Sequence, residues 1–299
     1  MYMATNTHIL VPEFDYRRPG SLSEVLALAA EHGDRARLIA GGTDLLVQMK
    51  MERDAPSLVI SLAGIDELRG IASGDGLTIG AMTTIRDVAG SATVRRRYAA
   101  LHEACQAFST VQIMVMGTLG GNLCNASPAA DTAPALLVLD ARVDLVTGED
   151  GRSVALGDFF TGPGRTVLAG GAVMQSVTLP EPGAGTGSAF LKISRVVADI
   201  AQVCAAVRLV RDGDTITDCR IALGSVAPTP LRIGRAETSL TGGNGSLEAF
   251  ERAARIAAEE IRPISDVRAT AAYRRHAAGV IVRDALTTAW RRAGEGGGK

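Results

Sequence analysis

The chain has little with which to hold a metal. Its four cysteines, Cys105, Cys124, Cys204 and Cys219, stand far apart, with no CxxC or CxxxxC pair among them. Thiolate sites for zinc or an iron–sulfur cluster need ligands at short spacings, so any such cluster is expected on another chain. The four histidines, His8, His32, His102 and His276, are equally scattered and read as ordinary surface or core side chains. Neither sign of charge is in excess: 31 Lys and Arg stand against 32 Asp and Glu, a net charge of -1. No overall field draws the protein toward DNA, RNA or anionic lipid, and nucleic acid is not an expected partner. No apolar run approaches the roughly 20 residues of a membrane-spanning helix. The first residues carry acidic groups where a secretory signal would carry an apolar core, so a cytoplasmic location is expected. Two phosphate-binding signatures are missing as well: there is no GxGxxG after a strand and no GxxxxGK[ST]. A nucleotide, if one binds, requires a different fold. No internal repeat of roughly 20 to 50 residues is visible.

What is present is an ordinary globular composition, 46% hydrophobic and 21% charged, with an unusual 34 glycines in 299 residues. That length predicts two or three packed subdomains. Ser21 and Glu24 form a capping box ahead of a helix that Gly33 stops. Residues 37–40 read as a strand, Gly41-Gly42-Thr43-Asp44 as a tight loop with Asp44 as N-cap, and 45–50 as a helix. Strands are expected at 57–62, 77–81 and 172–179, a helix at about 94–108, and a hairpin turning at 149–151. The Pro- and Gly-rich stretch 181–187 reads as a linker. Beyond it, 201–211 and 215–223 flank Asp212-Gly213 as a second hairpin. A helix then runs to about Ile261 and another from Asp266, as its cap, to near Arg292, leaving a frayed tail. The whole is α+β. Asp131 precedes an apolar run, where it would either cap a helix or hydrogen-bond a ligand hydroxyl; Lys192 and Arg195 read as a solvated strand edge.

The pairs Gly41-Gly42 and Gly120-Gly121 each stand at a turn leading into a helix. A protein neutralises a diphosphate with backbone N–H groups only where the chain approaches closely and turns sharply, and glycine permits both. A lone pair is more often simply a turn. Asp44, beside the first pair, would repel a diphosphate unless it faced away.

Taken in order, YRRPGSLSEVLALAAEHG, LIAGGTDLLVQMK, LTIGAMTT, GTLGGNLCNASPAAD and LKISRVVADIAQV resemble the FAD-binding medium subunit of the xanthine dehydrogenase and carbon monoxide dehydrogenase family, the molybdenum hydroxylases. The resemblance spans roughly residues 15 to 290. It implies a vanillyl-alcohol-oxidase-type (PCMH-type) FAD-binding fold in two subdomains, residues 1–62 and 63–182. A C-terminal domain, residues 188–292, would follow, with a three-stranded antiparallel sheet and helices, and then a flexible tail, 293–299. It further implies FAD between the first two units, its diphosphate held by the backbone of Ala40, Gly41, Gly42, Thr43, Asp44 and Leu45 and of Thr118, Gly120, Gly121 and Asn122. Asn125 and Ser127 would line the flavin cleft, Asp131 would hydrogen-bond the ribityl chain, Phe108 would pack on the ring system and Lys192 would reach the flavin edge. No residue is expected to be catalytic in its own right.

The implied partners are a large subunit holding a molybdenum-pterin centre and a small subunit holding two [2Fe-2S] clusters. Electrons would leave to NAD, a quinone or a protein acceptor. Where relatives typically read QIRN, this chain has Gln112-Ile113-Met114-Val115, without the Arg-Asn pair. The AGGTD loop resembles xanthine-dehydrogenase and aromatic-reductase members more than carbon monoxide oxidisers. Two other readings of the residues are a free-standing flavin enzyme acting directly on an organic substrate and a non-catalytic nucleotide-binding assembly protein.

Overall fold

The structure is a computed structural model and describes residues 13–148, 150–196 and 198–295. The N-terminal unit comprises β1 (Asp15–Arg17), α1 (Leu22–His32), β2 (Ala36–Ile39), α2 (Leu45–Lys50) and β3 (Leu58–Ser61), with the three strands parallel in the order β1-β3-β2. Ser21 caps α1 as its sequence predicts, its Oγ accepting from the Glu24 N–H at 3.2 Å. The Glu24 carboxylate reaches back one residue further than a standard box and accepts from the Gly20 N–H. Gly33, at φ 52°, stops the helix. Leu22, Val25, Leu26 and Ala29 recur at helical spacing and pack on Leu58 and Ile60 of the sheet.

The second unit runs through β4 (Ile71–Ser73), β5 (Gly76–Gly80), α3 (Ile85–Gly90), α4 (Ala92–Arg97), α5 (Ala99–Gln106), α6 (Val111–Met116), α7 (Leu119–Cys124), α8 (Thr132–Val138), β6 (Arg142–Thr147), β7 (Asp150–Ala155), α9 (Leu156–Phe159), β8 (Phe160–Gly162), β9 (Arg165–Thr166) and β10 (Val173–Pro180). Its main sheet has the order β4-β5-β10-β6-β7 and is antiparallel throughout. The hairpin β6–β7 forms as expected, although Glu149 at its turn lies outside the described residues. The single helix expected at 94–108 is instead two, broken at Tyr98 (φ -130°, ψ 57°). Tyr98 is buried and donates its hydroxyl to the Pro180 carbonyl at 3.1 Å. The break lets this phenol enter the core with its polar end satisfied.

The C-terminal unit contains β11 (Thr186–Ile193), β12 (Val203–Asp212), β13 (Thr215–Gly224), β14 (Leu231–Arg232), α10 (Gly234–Leu240), α11 (Leu247–Glu260) and α12 (Ala271–Glu295). Its antiparallel sheet has four strands, β11-β12-β13-β14, one more than expected, because the two-residue β14 pairs with Ala222 and Leu223. The linker shortens to 181–185, since β11 begins at Thr186. The last helix begins at Ala271 and not after Asp266. The Asp266 carboxylate instead accepts from the N–H groups of Arg268 and Ala269 and pairs with Arg274 at 2.7 Å, closing a separate turn. The helix also continues through Glu295, taking in part of the expected tail; residues 296–299 lie outside the described residues. Helices α11 and α12 cover one face of this sheet, and α5 and α8 of the second unit pack on it from the other side.

Candidate cofactor site

The first glycine pair follows β2 directly. Gly42 has φ 72°, in the left-handed region that glycine enters without penalty. A Cβ on Gly41 would lie 1.8 Å from the Met116 carbonyl oxygen, so the first loop rests on the end of α6 at a distance only glycine allows. Among the described residues, the N–H groups of Gly41, Gly42, Thr43, Asp44 and Leu45 have no protein acceptor. The loop is half-exposed and enters a helix, whose first N–H groups have no partner within it, so these donors are open to water or to a ligand.

The second pair is built differently. Thr118 caps α7, its Oγ1 accepting from Gly121 N–H at 3.0 Å, while Gly120 N–H donates to Ala81 O at 2.9 Å. Leu119 and Asn122 donate to the Thr83 and Thr118 carbonyls. The expected diphosphate donors of Gly120, Gly121 and Asn122 are therefore committed inside the protein. What fixes Gly120 is packing: a Cβ there would meet the Ala81 Cβ at 2.6 Å. The second pair brings α7 against the β5 end and shapes the wall, and the first pair supplies the free donors.

Both loops line one cavity of about 510 Å³, within the range of small-molecule sites. Of the sequence-predicted residues, Ala40, Gly41, Gly42, Thr43, Asp44, Leu45, Phe108, Thr118, Gly120, Gly121, Asn122 and Asn125 line it. Gln48 of α2 donates to the Asn125 amide oxygen at 3.4 Å, and Thr132 donates to Asn122 Oδ1 at 2.6 Å. Ser109 (φ 41°) follows Phe108 and Ala126 (φ 47°) follows Asn125, so two non-glycine residues held left-handed flank the lining. Sequence reasoning missed Arg37, Leu38, Gln48, Asp54, Met82, Cys124, Val173 and Met174, which also line the cavity. No spacing marks them, because two strands, two helices and two loops bring them together. Burial pushes the Cys124 thiol up to about 12, so it is a neutral wall residue and no nucleophile.

Ser127, Asp131 and Lys192 do not line the cavity. The Ser127 Oγ accepts from Ala129 N–H in the turn before α8. Asp131 begins α8 without a side-chain capping bond. Its carboxylate pairs with Lys192 at 2.7 Å, and Lys192 also donates to the Ala107 carbonyl at 3.1 Å. The two side chains are 4% and 9% exposed, so Lys192 is no solvated strand edge. A buried ammonium finds a buried carboxylate before anything else. Arg195, by contrast, is 61% exposed and paired with Asp199.

Asp44 lines the cavity at the start of α2 with no side-chain hydrogen bond, so the expected capping bond is absent. Burial raises its carboxyl above the usual range. A diphosphate held on the adjacent N–H groups would raise it further, and binding would then take up a proton. FAD affinity is therefore expected to fall as pH rises through the Asp44 titration, by at most about tenfold per pH unit. FAD titrations across pH with Asp44→Asn should lose this slope; an equal slope in both proteins would refute the coupling.

The comparisons with known proteins bear on what this cavity takes. Residues 12–182 match the family described as "FAD binding domain in molybdopterin dehydrogenase", and residues 188–289 match "CO dehydrogenase flavoprotein C-terminal domain". The chain belongs to the FAD-binding medium subunits of the molybdenum hydroxylase family. Among its relatives in that family, the carbon monoxide dehydrogenase medium chain of Hydrogenophaga pseudoflava is 35% identical over 95% of this chain and 99% of its own length. The xanthine dehydrogenase FAD-binding subunit of Escherichia coli O157:H7 is 30% identical over 93% and 97%. The solved carbon monoxide dehydrogenase from Hydrogenophaga pseudoflava superposes with a TM-score of 0.92 at 36% identity, covering 95% of this chain and 99% of that one. The family's cofactor suits the residues present: FAD carries a diphosphate, and this cavity offers consecutive unpaired N–H groups at a left-handed glycine. Among the described residues no His, Cys, Asp or Glu group could hold a metal, and no helix is long and apolar enough to cross a membrane.

Proposed function

We propose that this chain is the flavin-carrying electron-transfer subunit of a molybdenum-dependent hydroxylase in the cytoplasm. It serves a large subunit holding a molybdenum-pterin centre and a small subunit holding [2Fe-2S] clusters, and delivers electrons from those clusters to an external acceptor such as NAD or a quinone. The observation that carries this reading is the run of unpaired N–H groups from Gly41 to Leu45 on a cavity of about 510 Å³ that both glycine loops line. Bound FAD supplies the chemistry, exchanging electrons singly with a cluster and in pairs with a nicotinamide.

The chain's own residues bind and orient. The first loop holds the diphosphate, Phe108 packs on the ring system, and Asn125, fixed by Gln48, faces the flavin end. Lys192 and Asp131 act from behind the wall: the ammonium grips the carbonyl of Ala107, next to Phe108, and Asp131 precedes Thr132, which holds Asn122. In this reading substrate selection lies with the large subunit, and the AGGTD loop does not choose it.

Affinity purification from the native host tests the proposal. The chain should arrive with two further subunits carrying molybdenum and iron, and its flavin should bleach only when the complete assembly meets its substrate. A chain that purifies alone and is reduced directly by an organic substrate would contradict it.

A further inference from the structure

The C-terminal sheet meets the second unit through one face. Cys204 and Ala206 of β12 and Ala222 of β13 join the apolar core of the second unit, while the residues alternating with them pack under α11 and α12. On that same face β12, β13 and β14 each carry an arginine. Arg208 and Arg220 stand directly opposite one another, and Arg232 is paired with Ala222, two positions along β13 from Arg220. Like charges so placed repel. Among the described residues, the C-terminal unit answers the three with two carboxylates: Asp218 pairs with Arg208 at 2.7 Å and with Arg220, and Glu237 pairs with Arg232 at 2.6 Å. The third carboxylate comes from the second unit. Asp140, just beyond α8, meets Arg208 at 2.9 Å, Arg220 at 3.5 Å and Arg232 at 3.6 Å. Its backbone is left-handed, with φ 53°, a conformation that Asp and Asn enter more readily than other side chains do. The Arg208 Nε also donates to the Val138 carbonyl at 2.8 Å, one of those that the last turn of a helix leaves without an intrahelical partner. Between its ends α8 rests on the sheet at Gly224, where a Cβ would meet Pro134 at 3.2 Å. Its first residue, Thr132, donates to the amide oxygen of Asn122, which lines the cavity.

We propose that Asp140 and Arg208 are positioning residues for the cofactor site: they fix the far end of α8, and through α8 and Thr132 they set where Asn122 stands against bound FAD. This rests on the reading that FAD fills the cavity. Helix α8 can carry the coupling because it is short and rigidly held. Its seven residues are all buried, they span about 10 Å, and a close-packed interior transmits a displacement instead of absorbing it. The C-terminal sheet is then part of the support of the cofactor wall. Asp140 is 43% exposed, and pairs at such exposure contribute little to global stability, so what they fix is position.

The test is titration of the full-length deflavinated chain with FAD, alongside thermal melts, for the wild type, Asp140→Asn, Arg208→Lys, Thr132→Val and the double variant Asp140→Asn with Thr132→Val. Asp140→Asn keeps the left-handed backbone and removes the charge. It should weaken FAD by about fivefold or more, at the low end of couplings between separate sites, and shift the melting temperature by no more than about 4 °C. Arg208→Lys keeps the charge but loses the fork that holds Val138 and Asp140 together, and should weaken FAD likewise. Thr132→Val cuts the link to Asn122. Once it is cut, Asp140→Asn should cost nothing further, whereas a general loss of stability would add. The proposal is overturned if Asp140→Asn binds FAD as the wild type does, if its effect is undiminished in the Thr132→Val background, or if the chain fails to fold without the Asp140 charge. A wild-type chain that does not bind FAD would overturn the FAD reading itself; a wild type that binds beside an unaffected Asp140→Asn overturns this inference alone.

Discussion

Lys192→Ala is expected to destabilise the protein by about 3–5 kcal/mol at neutral pH, a large share of the roughly 5–15 kcal/mol that holds a typical domain together. The reason is what remains. Asp131 is buried, and its Oδ1 already lacks a partner among the described residues. Removing Lys192 leaves the whole carboxylate without a counter-charge. Burial raises Asp131 to about 6, against the pull of Lys192 in the opposite direction. The sign of the pH dependence follows. A carboxyl raised on folding binds its proton more tightly in the native state, so its contribution to stability is fully present below the unfolded value and is lost as pH rises through the folded one. Loss of Lys192 moves the folded value higher still. The deficit of the variant should be greatest at neutral pH and shrink on acidification. Denaturant melts across pH measure it directly. Adding Asp131→Ala should recover part of the loss, with a coupling of about 0.5–3 kcal/mol; additive losses at constant pH dependence would show that the pair does not act as a unit.

Gly41→Ala is expected to empty the cofactor site. The new Cβ would stand 1.8 Å from the Met116 carbonyl oxygen, a backbone atom that cannot rotate away, so the first loop or the end of α6 must move. Overpacking of this kind costs about 1–3 kcal/mol in stability. Losing two hydrogen bonds to a charged phosphate, each worth about 1.5–3 kcal/mol, corresponds to roughly a hundredfold or more in FAD affinity. Gly42→Ala should be milder, because its Cβ would meet only the ends of the Ile39 and Leu46 side chains at 3.1 and 3.2 Å, with about 1–2 kcal/mol of left-handed strain added. Gly121→Ala should be milder again, its nearest contact being the Thr118 hydroxyl at 2.9 Å. Flavin content of the purified variants, with thermal melts alongside, checks the ranking; an Ala at position 41 that retains full FAD would show that the approach to Met116 is not needed.

Local features were legible because their causes are local. Ser21 and Gly33 mark the ends of α1 in any chain, and Gly41-Gly42 after an apolar strand announces a tight turn whatever it binds. Resemblance then joined two turns that are weak signals separately, and in the structure both line one cavity. Long-range pairings were not legible. Lys192 and Asp131 are 61 positions apart, and a lysine in a strand ordinarily faces water; the packing of α5 and α8 on the C-terminal sheet buries it. The same holds for Arg37 and Asp54, joined by the turn after α2. The division of labour between the glycine pairs was hidden too, because Ala81, which receives Gly120, lies at the end of β5 and carries no mark of that role. Tyr98 broke the expected helix for a partner in Pro180, far along the chain.

In the proposed function the N–H groups of Gly41, Gly42, Thr43, Asp44 and Leu45 hold the diphosphate, while those of Gly120 and Gly121 remain bonded within the protein. Amide resonances of the full-length chain, followed while ADP and then FAD are added, test it most directly. Downfield movement of the five amides of the first loop is expected with either ligand, with little change at Gly120 and Gly121. Still amides in the first loop, beside large shifts at the second pair, would contradict it.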